Sequence, residues 1–111
     1  MFVHNRDQVE SVTYSDDAKG VEMRPLITEH DGAPRFAMRV FTLDADGHTP
    51  YHAHAWEHEV YILEGSGTVR GKDGERALRP GDAVFLAPHE EHQFRAGTRG
   101  LQFICCVPHH G

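Results

Sequence analysis

Short β-prone segments recur along this chain, separated by clusters of glycine, proline and aspartate that favour turns. The expected strands cover residues 21–28, 36–43, 49–54, 58–63, 68–70, 75–78, 83–86, 92–95 and 101–107. The expected turns cover residues 44–47, 64–67, 71–74 and 79–82. Only residues 7–12 offer a candidate helix. Many short strands at regular spacing predict an all-β fold, as a sandwich, barrel or jelly roll.

Length, composition and charge narrow the class of protein. A chain of 111 residues fits one domain, and 39% hydrophobic with 25% charged residues is typical of a globular protein. The net charge of −6 argues against binding to nucleic acid or to an anionic membrane. No apolar run approaches the roughly 20 residues that cross a bilayer. We therefore expect no nucleic-acid or membrane partner and a cytoplasmic location.

The cysteines agree with a reducing compartment. Cys105 and Cys106 are adjacent, so on a strand they point to opposite faces, and a disulfide between them is not expected.

The chain ends in His109, His110 and Gly111, which we interpret as a frayed terminus.

Histidine is the over-represented residue, with 10 copies in the chain. His52 and His54 are two positions apart and would share one face of a strand. His58 follows at the start of the next segment, and His92 begins a distant strand that an antiparallel barrel could bring alongside. Each neutral imidazole offers one lone pair, so four converging rings would suit a divalent metal.

Two sequence stretches resemble the paired motifs of the cupin family. The stretch GHTPYHAHAWEHEVYILEG at residues 47–65 resembles the first motif, in which HxH is followed by a glutamate and then a glycine. The stretch GDAVFLAPHEEH at residues 81–92 resembles the second, in which glycine leads to proline and then histidine. The resemblance implies a cupin jelly-roll β-barrel as one domain over residues 1–111. Within it, residues 1–23 would be an N-terminal strand segment and residues 36–107 the barrel core.

The resemblance also implies a ligand set. Counting back from Gly65 places His58 in the slot that usually holds the glutamate. The chain is thus similar to small single-domain cupins with a four-histidine manganese site, here His52, His54, His58 and His92. One divalent transition metal per chain is expected, with manganese or iron favoured and nickel, copper or zinc possible.

Other residues are candidates for the surroundings of that site. Phe94, Phe103 and Cys105 are expected to face inward, either as barrel filling or as pocket walls. Glu57 and Glu59 are either solvated charges or hydrogen-bond acceptors for the imidazoles. Arg39 lies in an apolar strand, and we expect its side chain to reach outward in preference to inward. An inward Arg39 would lie in the substrate pocket, where it could hold an anionic group.

Three functions follow from an open metal site of this kind. The first is a metal-dependent oxidoreductase of the dioxygenase type, acting on a small organic substrate. The second is a non-redox isomerase or lyase of a sugar acid, and the third is a ligand-binding module without turnover.

The apolar segments 36–43 and 101–107 cannot both be buried inside one thin barrel. We therefore expect a homodimer, unless the N-terminal segment covers that surface within one chain.

Overall fold

The computed structural model describes residues 1–109, and within them seven strands form one antiparallel sheet. The strands are β1 (Val12–Tyr14), β2 (Lys19–Ile27), β3 (Phe36–His48), β4 (His58–Gly71), β5 (Gly74–Leu78), β6 (Ala83–Leu86) and β7 (His92–Pro108). Hydrogen-bonded neighbours follow the order β1-β2-β3-β7-β4-β5, and β6 pairs with β4. This arrangement is the jelly-roll β-barrel that the sequence predicts.

The barrel interior is filled by alternate residues of the long strands. On β7, Leu101, Phe103 and Cys105 are buried, whereas the residues between them are only partly buried. Leu43 on β3 and Ile62 on β4 are at most 1% exposed. Because successive side chains of a strand point to opposite faces, one face of each strand supplies the core.

Two expected turns are strand continuations in the structure. Residues 44–47 belong to β3 and residues 64–67 belong to β4, each accompanied by a shift in pairing register. Gly65 has a φ of +86°, and a Cβ there would lie 2.1 Å from the carbonyl oxygen of Gly100. Glycine thus permits a bulge that bends a continuous strand, which corrects our prediction of a chain reversal.

Three other expectations also differ from the structure. Residues 49–54 form no strand and contribute one isolated bridge, between His52 and His92. The expected break after residue 95 is absent, because β7 is continuous. Residues 7–12 are not an α-helix; a 3-10 helix covers Arg6–Gln8, and a second covers Glu29–Asp31.

The N-terminal segment adds to the sheet of its own chain. β1 pairs with β2, so this segment extends the sheet edge as one of the two outcomes that the sequence left open. Ahead of β1, Arg6 donates a hydrogen bond to the side chain of Gln102 at 2.8 Å. The segment therefore covers part of the outer surface of β7.

The backbone N–H of His109 donates to Arg35 O at 2.9 Å, so our interpretation of a frayed end is wrong at this residue. His110 and Gly111 lie outside the described residues. Within residues 1–109, no helix has the length and apolar character needed to span a bilayer.

Candidate metal and substrate site

Two of the four histidines are carried by paired strands. His58 begins β4 opposite Leu86 of β6, and His92 begins β7. Their side chains are only 6% and 4% exposed. Because both backbones are held in the barrel wall, the two imidazoles have well-defined positions at one end of the interior.

The other two histidines lie on the connection between β3 and β4. The backbones of His52 and His92 exchange N–H···O bonds of 3.1 and 2.9 Å, which explains the isolated bridge. The N–H of His89 donates to the carbonyl oxygen of His54 at 2.6 Å. The irregular segment is thus held against the start of β7 and the loop before it.

These backbone contacts bring the four imidazoles together, as the motif spacing predicts. Ring centroids lie 4.3 Å apart for His52 and His54, and 5.3 Å apart for His58 and His92. Between the pairs, His52 and His92 are 4.9 Å apart, and His54 and His58 are 5.1 Å apart. The four rings form one cluster.

Hydrogen bonds fix which nitrogen faces the cluster in two of the rings. Nδ1 of His92 lies 2.9 Å from the carbonyl oxygen of Glu90, which can only accept, so Nδ1 carries the proton. Nδ1 of His58 contacts Sγ of Cys105 at 3.4 Å. Nε2 of His58 is buried and has no partner among the described residues. Nε2 of His92 is therefore available as a ligand, and Nε2 is the nitrogen of His58 that is left for one.

Burial and neighbouring charges favour the neutral form of His52 and His58. Burial, followed by the neighbouring imidazoles and Arg39, lowers the pKa of His58 to about 3 and that of His52 to about 4. Neutral imidazole is the form that binds metals. A proton on His58 is unfavourable inside the barrel, beside the other imidazoles and the guanidinium of Arg39.

The histidines open into a cavity of about 200 Å³ inside the barrel. Besides the four imidazoles, its walls are Tyr14, Arg39, Phe41, Thr49, Pro50, Trp56, Val60, Phe94, Phe103 and Cys105. Aromatic and aliphatic groups dominate these walls. No aspartate or glutamate among residues 1–109 lines this central cavity.

Arg39 points into the central cavity, which corrects our preference for an outward side chain. It pairs with Cys105 across β3 and β7, and Nη2 donates to Sγ of Cys105 at 3.3 Å. Its guanidinium carbon lies 5.1 Å from the ring centroid of Phe41. Arg39 and Phe41 are two positions apart on one strand, so both face inward.

The remaining predicted residues divide between the cavity and the surface. Phe94, Phe103 and Cys105 line the central cavity. Glu57 and Glu59 are exposed, and neither side chain makes a hydrogen bond to the imidazoles of His58 and His92, so the interpretation as solvated charges is the one that fits.

Tyr14 and Thr49 are among the residues that line the central cavity although the sequence reasoning assigned them no pocket role. Tyr14 reaches it from the N-terminal segment through a ring contact with Phe41 at 5.9 Å. Thr49 accepts the N–H of Phe94 at 2.9 Å. Its own backbone N–H also donates to Phe94 O, and it lies three positions before His52. Val12 and Tyr14 alternate with the polar Thr13, and this pattern is the sequence signal that could have found Tyr14.

The donor set fits a divalent transition metal, although the ring orientations do not form a finished site. Among residues 1–109, no three His, Cys, Asp or Glu side chains are placed to hold an ion. The ring positions nevertheless cluster within 4.3–6.2 Å, and the buried Nε2 of His58 lacks a partner. The backbone fixes the positions of the rings, whereas the rings themselves turn readily about χ2.

Sequence comparison matches the chain to one family and to a named enzyme. The sequence model described as "Cupin domain" matches residues 39–107. An L-ectoine synthase from Mycolicibacterium gilvum is 30% identical over 107 residues, which cover 95% of this chain and 81% of that protein.

Solved structures resemble the chain over almost its full length. The polyketide cyclase RemF from Streptomyces resistomycificus has a TM-score of 0.91 and 35% identity, covering 97% of this chain and 79% of that one. A cupin-2 domain from Rhodospirillum rubrum has a TM-score of 0.87 and 25% identity, covering 98% and 75% of the respective chains.

Proposed function

This chain belongs to the cupin family, and from that premise we propose that it is a metal-dependent cyclase of a small conjugated substrate. The observation that carries the proposal is the convergence of four imidazoles on an aromatic-walled cavity of about 200 Å³. The 35% identity to a polyketide cyclase supports ring closure without net oxidation. The apolar walls favour an unsaturated, weakly hydrated substrate over a strongly polar one.

The proposed ligands of the metal are His52, His54, His58 and His92, with manganese or iron favoured over nickel, copper or zinc. Four neutral ligands leave the full charge of the ion in the site. When bound, such an ion supplies Lewis acidity to a carbonyl or enol oxygen of the substrate.

The chain's own groups would position the substrate and exclude water. Trp56, Phe94 and Phe103 provide flat apolar surfaces against which a conjugated chain can fold back on itself. Ring closure joins an enol carbon to a carbonyl carbon of the same molecule. The enol hydroxyl and the attacking carbon each release a proton, a C=C bond forms, and these two protons balance those with which the carbonyl oxygen leaves as water. Tyr14 is proposed to donate a proton to that leaving oxygen, because it is the tyrosine of the cavity wall.

Mass spectrometry together with an oxygen electrode tests this function. The purified protein, loaded with manganese, is incubated with a panel of linear poly-β-carbonyl acids. We expect a product lighter than the substrate by one water, formed without oxygen uptake, and formed more slowly by Tyr14→Phe. Products that contain oxygen from O₂, at matching oxygen consumption, would overturn the cyclase and support the dioxygenase that the sequence led us to expect.

The other expectations from the sequence stay predictions that the same assay addresses. Products of unchanged mass would indicate an isomerase, and cleaved products a lyase. Saturable binding without any turnover would indicate a ligand-binding module. Each of these results contradicts ring closure.

We also propose that two chains form a homodimer. The N-terminal segment covers part of the outer sheet, yet Phe36, Tyr61 and Phe85 are 61%, 49% and 60% exposed. Large apolar side chains exposed in this way are typical of an interaction surface. Light scattering should give about twice the chain mass of 12.5 kDa, and a value near the chain mass would contradict the dimer.

A further inference from the structure

The central cavity contains a positive charge that no acidic side chain balances. Arg39 lines the cavity beside the four imidazoles, and no aspartate or glutamate in residues 1–109 lies within ion-pair distance of it. Arg39 is half-buried and its Nε is fully buried, and a guanidinium taken partly out of water is unfavourable without an acceptor or an opposite charge. The position of Arg39 therefore calls for a partner that the described chain does not supply.

The contacts of Arg39 leave part of its hydrogen-bonding capacity unused. Nη2 donates to Sγ of Cys105, and the guanidinium lies over the ring of Phe41. Nε is buried and has no hydrogen-bond partner among the described residues. A buried N–H without an acceptor is unfavourable unless a ligand completes it.

Arg39 is also held at a defined distance from the histidines. Sγ of Cys105 contacts Nη2 of Arg39 at 3.3 Å and Nδ1 of His58 at 3.4 Å. One sulfur atom thus links the guanidinium to an imidazole of the proposed metal site. A substrate that reaches the imidazole cluster would pass close to the guanidinium.

We propose that Arg39 binds a carboxylate of the substrate, so that the conjugated molecule accepted by this cavity is an organic acid. This proposal deepens the proposed function and rests on the same cavity. A carboxylate matches the planar guanidinium and accepts the unused N–H, while the aromatic walls hold the apolar remainder. Arg39 would thereby hold the carboxylate end of the substrate in place, and ring closure would occur away from that end.

The test compares one acid with its neutral counterpart. Calorimetric titration measures the affinity of 2-naphthoate and of 2-naphthamide, which have nearly the same shape and differ in charge. We expect wild-type protein to bind the acid about tenfold more tightly or better, as a charge-assisted hydrogen bond predicts. Arg39→Gln should lose this preference and keep its affinity for the amide. Arg95→Gln, an exposed arginine on β7, is the matched control and should behave as wild type.

Two further measurements keep the result interpretable. Arg39→Lys retains the charge and should keep part of the preference, even if Arg39→Gln proves too unstable to titrate. Titrations before and after treatment with EDTA separate the guanidinium from the metal. Equal wild-type affinities, or a preference that survives in Arg39→Gln and disappears with EDTA, would overturn the carboxylate site. Neither result bears on cyclase activity, which the product assay measures separately.

Discussion

The four histidines of the site comprise two pairs that the fold holds by different means. His58 and His92, the strand pair, begin β4 and β7 and are almost fully buried. His52 and His54, the loop pair, lie on an irregular segment and are half-buried. The strand pair is part of the barrel wall, whereas the loop pair is attached to it by a few backbone hydrogen bonds. We infer that the strand pair contributes to folding and to the site, and the loop pair mainly to the site.

Metal removal should have the largest effect, which is on the melting temperature. This effect should require both histidine pairs. A ligand at about a hundred times its dissociation constant stabilises the folded state by about 3 kcal/mol. EDTA should therefore lower the melting temperature of the wild-type protein by several degrees. In His52→Ala/His54→Ala, EDTA should change nothing, because the site is already lost. Scanning calorimetry with and without EDTA checks this, and an equal response of both proteins would contradict it.

Single substitutions should separate the two pairs in the presence of EDTA. His58→Ala removes a buried ring and its contact with Cys105, so we expect a loss of about 1–2 kcal/mol in the free energy of unfolding. His54→Ala removes a half-buried ring and leaves its carbonyl bond to His89 intact, so we expect less than about 1 kcal/mol. Urea denaturation measures both. Equal losses in the free energy of unfolding would show that the two pairs do not differ in their contribution to folding.

Metal binding by the loop pair should also depend on the aromatic ring beside it. Trp56 stacks on His54 with centroids 4.6 Å apart and planes inclined by 7°. Such a contact contributes about 0.5–1.5 kcal/mol, so Trp56→Leu should raise the dissociation constant for manganese by about 3–10-fold. Tyr51→Leu is the control, because Tyr51 lies on the same segment and contacts Arg70 outside the cavity. Similar affinities of Trp56→Leu and wild type for manganese would show that Trp56 does not contribute to the site.

The smallest change in metal content should follow replacement of a strand-pair ligand by a carboxylate. His58→Glu restores the residue that usually occupies this slot in the motif, and carboxylate oxygen also binds manganese and iron. We expect the variant to keep close to one metal per chain while its activity changes. Elemental analysis, with His58→Ala as the control that loses metal, measures this. A structure of the variant with Glu59 on the ion would overturn the assignment of His58 to the slot.

The sequence predicted strands well where a turn truly reverses the chain. The turn at residues 71–74 and the strand at 83–86 are both present as predicted. Residues 64–67 misled the prediction, because Gly65 signals either a reversal or a bulge, and only the pairing of β4 with β7 decides between them. Local glycine signals cannot distinguish a bent long strand from two short strands.

The candidate site was predictable to a similar extent. Spacing placed the four histidines, since two positions on extended chain share a face and the barrel brings His92 alongside. The direction of Arg39 was not predictable, because its strand is apolar on both faces and the covering segment determines which face is inside. Tyr14 was missed for the same reason, since its place depends on where β1 adds to the sheet.

Elemental analysis of the double variant tests the central claim most directly. Wild-type protein, purified after growth with added manganese and iron, should contain close to one transition-metal ion per chain. His52→Ala/His54→Ala should contain almost none, while Glu57→Gln/Glu59→Gln, altered at two exposed positions of the same stretch, should match wild type. A histidine double variant that retains its metal would contradict the four-histidine site, and the proposed function with it.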